Sequence, residues 1–335
     1  MIMTKEKIFA ALGMKYGLAL APMAGFTDRA MRAVCHLHGA EYSVTEMVSA
    51  KALAFGDKKT FKLAKILPDE GPCAVQIFGS EPDVMAMAAN VLSNPIDDGA
   101  VPVAIDINMG CPVNKIFSNG EGSALMRSPL LIEKIVHSVS SAINIPCTVK
   151  IRAGVDSTHI NAVECALAAE AGGAELITVH GRTRVDMYSG EVNREIIARV
   201  KSAVKIPVLA NGDITSAKDA LSMLSETGAD GLMIGRGAVG NPFIFEEIKS
   251  ALTPCDYTPP TLDERIECAL LQLNLAIKEK GEERAVTESR KQIALYLHSF
   301  RGAAEIRARI NRAVTFDEVK AALFLAKEGK NAEIS

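Results

Sequence analysis

Eight short, nearly continuous apolar runs mark the first three quarters of the chain, starting at Gly17, Tyr42, Cys73, Val103, Cys147, Leu176, Pro207 and Gly231. Between them lie longer stretches with helical spacing of apolar positions. Strands that are apolar on both faces and joined by helix-containing crossovers belong to parallel sheets, and eight such units in roughly 235 residues predict a closed (β/α)8 TIM barrel rather than an open sheet. Punctuation at the strand entries agrees. Gly172 and Gly173 end one helix just before Leu176, Gly228 ends another before Gly231, and Pro146 and Pro207 open two further strands.

After the barrel the pattern changes. Pro254, Pro259 and Pro260 interrupt any regular element, so residues 251–261 read as a linker between a barrel of residues 1–250 and a second domain of residues 262–335. Thr261 with Glu264 and Thr315 with Glu318 have capping-box spacing, and Ile266, Leu270, Leu273 and Ile277 share one helical stripe. With Val286, Ile293, Leu297, Ile306 and Ile310 they predict a bundle of about four helices.

Composition narrows the class. Of 335 residues, 48% are hydrophobic and 23% charged, with no biased tract, which excludes disordered, collagenous and coiled-coil chains and leaves a globular enzyme as the default. The seven cysteines are scattered and include no C-x-x-C pair, which argues against a disulfide framework or a metal cluster and fits a reducing, cytoplasmic setting. No secretory h-region or membrane-length apolar segment is evident. The formal charge of −3 gives no global sign of a polyanionic partner. Locally the balance reverses: from Arg284 to Arg312 seven basic residues face two acidic ones. Arg290, Lys291 and Arg301 are candidates for phosphate contacts there, against the alternative of a solvated helix face. Lys58, Lys59, Lys62 and Lys65 form a second basic run, for which the solvated face is the stronger reading.

Candidate chemistry gathers where barrel strands end, because those ends share one mouth. Asn211-Gly212-Asp213 and Gly235-Arg236 follow the seventh and eighth strands, where such barrels hold phosphate on backbone N–H groups. Gly235 to Gly240 also fits G-x-G-x-x-G, but it closes a barrel series instead of opening a βαβ unit, so a dinucleotide fold is rejected. Lys150 shares a strand face with Thr148 and Arg152, opposite Val149 and Ile151. It implies either a structural ion pair or a bound anionic cofactor, which Gln76 on the third strand would also meet. His180, at a strand end, is as often a satisfied polar group as a site residue. The long segment after Asn108 carries Cys111 between Gly110 and Pro112; a thiol of ordinary pKa, about 8.5, stays protonated at neutral pH and can act as a general acid. Cys73, Cys147 and Cys165 read as small core residues.

These stretches together resemble one family. Residues 21–28 (APMAGFTD), 44–50 (VTEMVSA), 76–79 (QIFG), 106–112 (DINMGCP), 150–152 (KIR), 179–184 (VHGRTR), 210–214 (ANGDI) and 234–242 (IGRGAVGNP) are similar, in order, to the tRNA-dihydrouridine synthases, nearest their bacterial B-type branch. The resemblance extends into the C-terminal helices. It implies an FMN enzyme that uses NADPH to reduce selected uridines of tRNA. By motif, Pro22, Met23, Ala24, Gln76, Lys150, Asn211, Gly212, Asp213, Gly235 and Arg236 would bind FMN, with His180 near the flavin ring and Asn108 near the uracil. Cys111, on a mobile loop, would protonate C5 as hydride reaches C6. No metal is implied, and the oligomeric state is left open, with a monomer expected. A flavin barrel acting on a free pyrimidine would not need the basic helical domain, and a non-catalytic RNA-binding protein would leave Lys150, Cys111 and the glycine turns unexplained.

Overall fold

The computed structural model describes residues 4–297 and 303–331. Eight parallel strands close into a barrel: β1 Leu18–Leu20, β2 Tyr42–Val44, β3 Cys73–Phe78, β4 Ala104–Met109, β5 Cys147–Asp156, β6 Leu176–Thr183, β7 Val208–Asn211 and β8 Gly231–Ile234. Each pairs with its neighbours in chain order. Closure comes from β1 against β8, with Leu18 opposite Leu232, while β2 meets β3 with Ser43 opposite Cys73. Gly17 and Gly231 permit that closure, since a Cβ on Gly231 would lie 2.5 Å from the Gly17 carbonyl oxygen.

Alternation sorts the strand residues. Val75, Ile77, Ile105, Ile107, Val149, Ile151, Ile177 and Val179 pack outward beneath the surrounding helices in the main core. Inside, Ala74, Ala104, Leu176 and Leu209 form an apolar floor with Tyr42, and Ile8, Phe9 and Leu12 of the N-terminal segment plug it from below. One step up the same inward faces the residues become polar: Gln76, Asp106, Thr148 and Thr178, then Asn108, Lys150, His180 and Asn211. The barrel is dry at the bottom and polar at the top.

Two short strands lie outside the expected eight. Val48–Ser49 adds to the far end of β3, and His159–Ile160 folds back on the end of β5, which with β6 runs further than its apolar core alone indicates.

After the irregular segment 253–260, four helices follow among the described residues: Leu262–Lys280, Glu282–Leu295, Ala303–Ile310 and Phe316–Asn331. The Thr261–Glu264 capping box is formed in both directions, and Thr315 and Glu318 exchange the same pair of contacts. The stripe from Ile266 to Ile277 faces Val286, Ile293, Ile306 and Leu323, and Val34 and Phe243 of the barrel enter the same cluster. Lys280 Nζ donates to Asp28 at 2.7 Å and Gln292 to the Gly25 carbonyl at 3.4 Å, so the helical unit touches the turn after β1. No helix among the described residues is long and apolar enough to cross a membrane.

Candidate active site

The polar end of the barrel opens into a cavity of about 900 Å³. Pro22, Met23 and Ala24, Gln76, Asn108 and Cys111, Lys150, His180, Asn211 to Asp213, and Gly235 with Arg236 all line it. Residues up to 214 positions apart in sequence, from Pro22 to Arg236, thus meet because every one lies on a parallel strand or just after it. Of the three basic residues singled out beyond the barrel, Lys291 is exposed on the helical unit, Arg290 reaches the Ala313 carbonyl, and Arg301 lies outside the described residues.

A chain of amides descends from the cavity into the barrel. Buried Asp106 accepts from Gln76 Nε2 at 2.7 Å and from Thr148 Oγ1 at 2.5 Å. That contact turns the Gln76 carbonyl toward Asn108, whose Nδ2 donates to it at 2.8 Å. Asn108 Oδ1 is left to accept from the backbone N–H of Gly110 and of Cys111, at 3.1 and 2.9 Å. An acid that can only accept therefore fixes both amides and, through them, the turn that carries the thiol.

The turn is held from its other side as well. The Cys111 carbonyl accepts from Ser123 Oγ at 2.7 Å, and Arg152 Nε donates to the Gly110 carbonyl at the same distance. Gly122 sits at φ +60°, where a Cβ would approach Cys111 Cβ to 3.0 Å. In this structure the Cys111 turn is bonded into the barrel wall. Its polar groups find partners on Asn108, Ser123 and Arg152, which a reading of loop length does not reveal. Further along, the five-residue helix Asn114–Ser118 presents Phe117 between the guanidinium groups of Arg184 and Arg127, at 3.8 and 4.5 Å from the ring centre.

Burial pushes the Cys111 thiol up from its ordinary value, opposed by the Val113 N–H and by Arg152, so it is a protonated thiol at neutral pH. Lys150 donates to Asn211 Oδ1 at 3.0 Å, and the Asn211 amide is oriented by its own donation to the Met233 carbonyl. Lys150's hydrogen-bond partner is thus a neutral amide, not the carboxylate of a structural ion pair. Burial and repulsion from Arg152 lower its pKa to about 7, partly offset by Asp106. His180 is held neutral by burial and then by Lys150, Arg152, Arg182 and Arg236 around it. The cavity wall is a cationic surface with too little negative charge, suited to an anion.

Arg152, Arg182 and Tyr188 join the site without having been singled out. Arg182 forks onto both oxygens of Asp213, at 2.8 and 2.7 Å, so the Asp213 side chain is engaged with protein. Asp213 has φ +48° directly after Gly212 at +126°, a strained pair of the sort found where N–H groups converge. Arg236 lies over the Tyr188 ring at 5.1 Å. Arg182 stands two residues after His180, on the same face of β6, and that alternation was the available signal.

The family model for dihydrouridine synthase (Dus) matches residues 19–331. The chain belongs to the dihydrouridine synthase family. tRNA-dihydrouridine synthase B of Pseudomonas putida is 42% identical over 300 residues, covering 89% of this chain and 87% of that one. A probable tRNA-dihydrouridine synthase of Treponema pallidum is 37% identical over 93% of both chains. Among solved structures, a FabK (M276A) mutant from Thermotoga maritima aligns with a TM-score of 0.41 at 14% identity over 70% of this chain and 65% of that one, too distant to bear on the site. As a dihydrouridine synthase, the chain places every candidate cavity residue in one chamber at the strand ends.

Proposed function

We propose that this dihydrouridine synthase is a tRNA-dihydrouridine synthase that binds FMN, draws on NADPH, and reduces the C5–C6 bond of particular uridines. The observation that carries the reading is a thiol kept protonated at the wall of a cationic chamber, within a family-wide match. The donors present fit FMN. The Asn211–Asp213 and Gly235–Arg236 turns suit its phosphate, and Lys150, whose hydrogen-bond partner Asn211 is neutral, suits the pyrimidine end of an anionic ring. When bound and reduced, FMN supplies the hydride that reaches C6 of the uracil.

The chain's residues do the rest. Cys111 Sγ–H gives its proton to C5 and recovers one from solvent, while the nearby Arg152 charge favours the transient thiolate. Asn108 lies beside Cys111 and can orient the base. NADPH uses the same mouth before RNA enters. The RNA would lie over the helical unit, where Lys291 and Arg312 are exposed, although Glu288 and Glu305 pair with Arg284 and Arg309 and reduce the basic excess read from sequence. A bacterial cytoplasmic location and a monomer complete the proposal.

Purified protein is expected to be yellow, to oxidise NADPH, and to form dihydrouridine in unmodified tRNA but not in free uridine. Cys111→Ala should retain flavin and lose about a hundredfold or more in product formation, the range for removing a general acid. Native-rate conversion by that variant would remove Cys111 as the proton donor.

A further inference from the structure

The run from Lys51 to Lys65 is not absorbed by the site. It folds as two short helices, Ala50–Ala54 and Lys58–Ala64, and buries Leu53, Thr60 and Ala64 inward. Outward it exposes Phe55, at 80%, together with Lys58, Lys59 and Lys62. Lys58 and Lys62 are one turn apart, as nearly are Lys59 and Lys62, so like charges stack on one helical face. Asp57 is committed to capping the second helix through Thr60. Neither Lys58, Lys59 nor Lys62 forms an ion pair among the described residues. Lys65, by contrast, is neutralised by Asp98. Three unpaired cations beside a bare aromatic face cost stability in isolation and match a polyanion with exposed ring systems.

Position gives the patch a purpose. Val48–Ser49, which leads into the first helix, pairs with Ile77 and Phe78 at the mouth end of β3. Lys51 and Glu81 lie near Glu121, in the segment that follows Cys111. On the other side Arg29, on the helix that packs against Leu262–Lys280, bonds Asp69 just past the patch. The patch therefore occupies the sector of the rim between the Cys111 segment and the helical unit.

We propose that Phe55, Lys58, Lys59 and Lys62 form an accessory docking surface for the tRNA, the lysines on backbone phosphates and an unpaired base stacked on Phe55. This rests on the reading of the substrate as tRNA. It adds a contact on the barrel itself, so that the RNA is held on two sides of the mouth.

The test is the salt dependence of binding of an unmodified tRNA transcript to the flavin-loaded protein. Replacing all three lysines with alanine should lower the slope of log Kd against log salt by about one per lysine, with at least about tenfold weaker binding at low salt. Phe55→Ala should weaken binding by about five- to tenfold and leave the slope unchanged, because stacking releases no counterions. NADPH-driven flavin reduction should be unaltered in both, since neither variant touches the cavity. A triple variant with wild-type affinity and slope overturns the patch as an RNA surface and leaves it as a solvated face or a protein contact. Binding is read directly, so this result stands apart from turnover: wild-type protein that forms no dihydrouridine in tRNA defeats the functional reading, whereas active wild type with unaltered variants defeats this inference alone.

Discussion

Lys150 shows how a single side chain can carry a site's electrostatic demand. Its pKa near 7 lies far below the ordinary 10.4 of an unfolded chain, because burial and Arg152 both disfavour its charge. Between those two values the unfolded chain holds a proton that the folded one has released. Flavin-free protein should accordingly gain stability as pH rises from about 7 toward 10, and lose that gain as pH falls back through 7. Denaturant titrations at pH 7, 8 and 9 should show this slope, and Lys150→Met should flatten it. An anionic ligand reverses the shift, so FMN binding at pH 8 should take up close to one proton in wild type and none at this position in Lys150→Met, by calorimetry in buffers of different ionisation enthalpy. At this scale the sequence identified the lysine's face and its oddity. It did not identify Asn211 as its partner, because the two come from strands separated by a third, 61 residues apart in sequence.

Among the elements, the short helix Asn114–Ser118 cannot stand alone, since five residues close barely one hydrogen-bonded turn. It depends on Phe117 between Arg127 and Arg184, and on Arg184 Nη2 donating to Asn114 Oδ1 at 2.6 Å. Phe117→Leu keeps apolar bulk and removes both cation–π contacts, each worth about 0.5–1 kcal/mol at an exposed site. Amides of residues 111–123 should then exchange about tenfold faster while the barrel strands keep their protection. The strands and long helices were legible from apolar spacing and caps, as with Thr261 and Glu264. The N-terminal plug was not, because the mixed charges around Lys5 obscure how Ile8, Phe9 and Leu12 bury together.

The whole molecule couples its two parts through small residues. Ala30 of the barrel packs with Ala276 and Ala285 of the helical unit, and Val34 and Phe243 sit inside the helical core. Thermal unfolding should therefore be a single cooperative transition by calorimetry. Ala276→Glu, which forces an unpaired charge into a position with no exposure, should split it into two or lower it by several degrees.

Sequence alone determined the eightfold alternation, the caps, the helical appendage and the family motifs, because local spacing and residue type suffice for them. Tertiary structure decided what those residues face. Asp106 became the anchor of the Gln76 and Asn108 amides, Asp213 a partner of Arg182, and the Cys111 turn a segment bonded to Ser123 and Arg152, since each partner lies on a neighbouring strand or beyond a loop, a dozen or more residues away in sequence. The excess of positive charge near the C-terminus was likewise a sequence count, and only folding showed which arginines already have carboxylates and that Lys58, Lys59 and Lys62 do not.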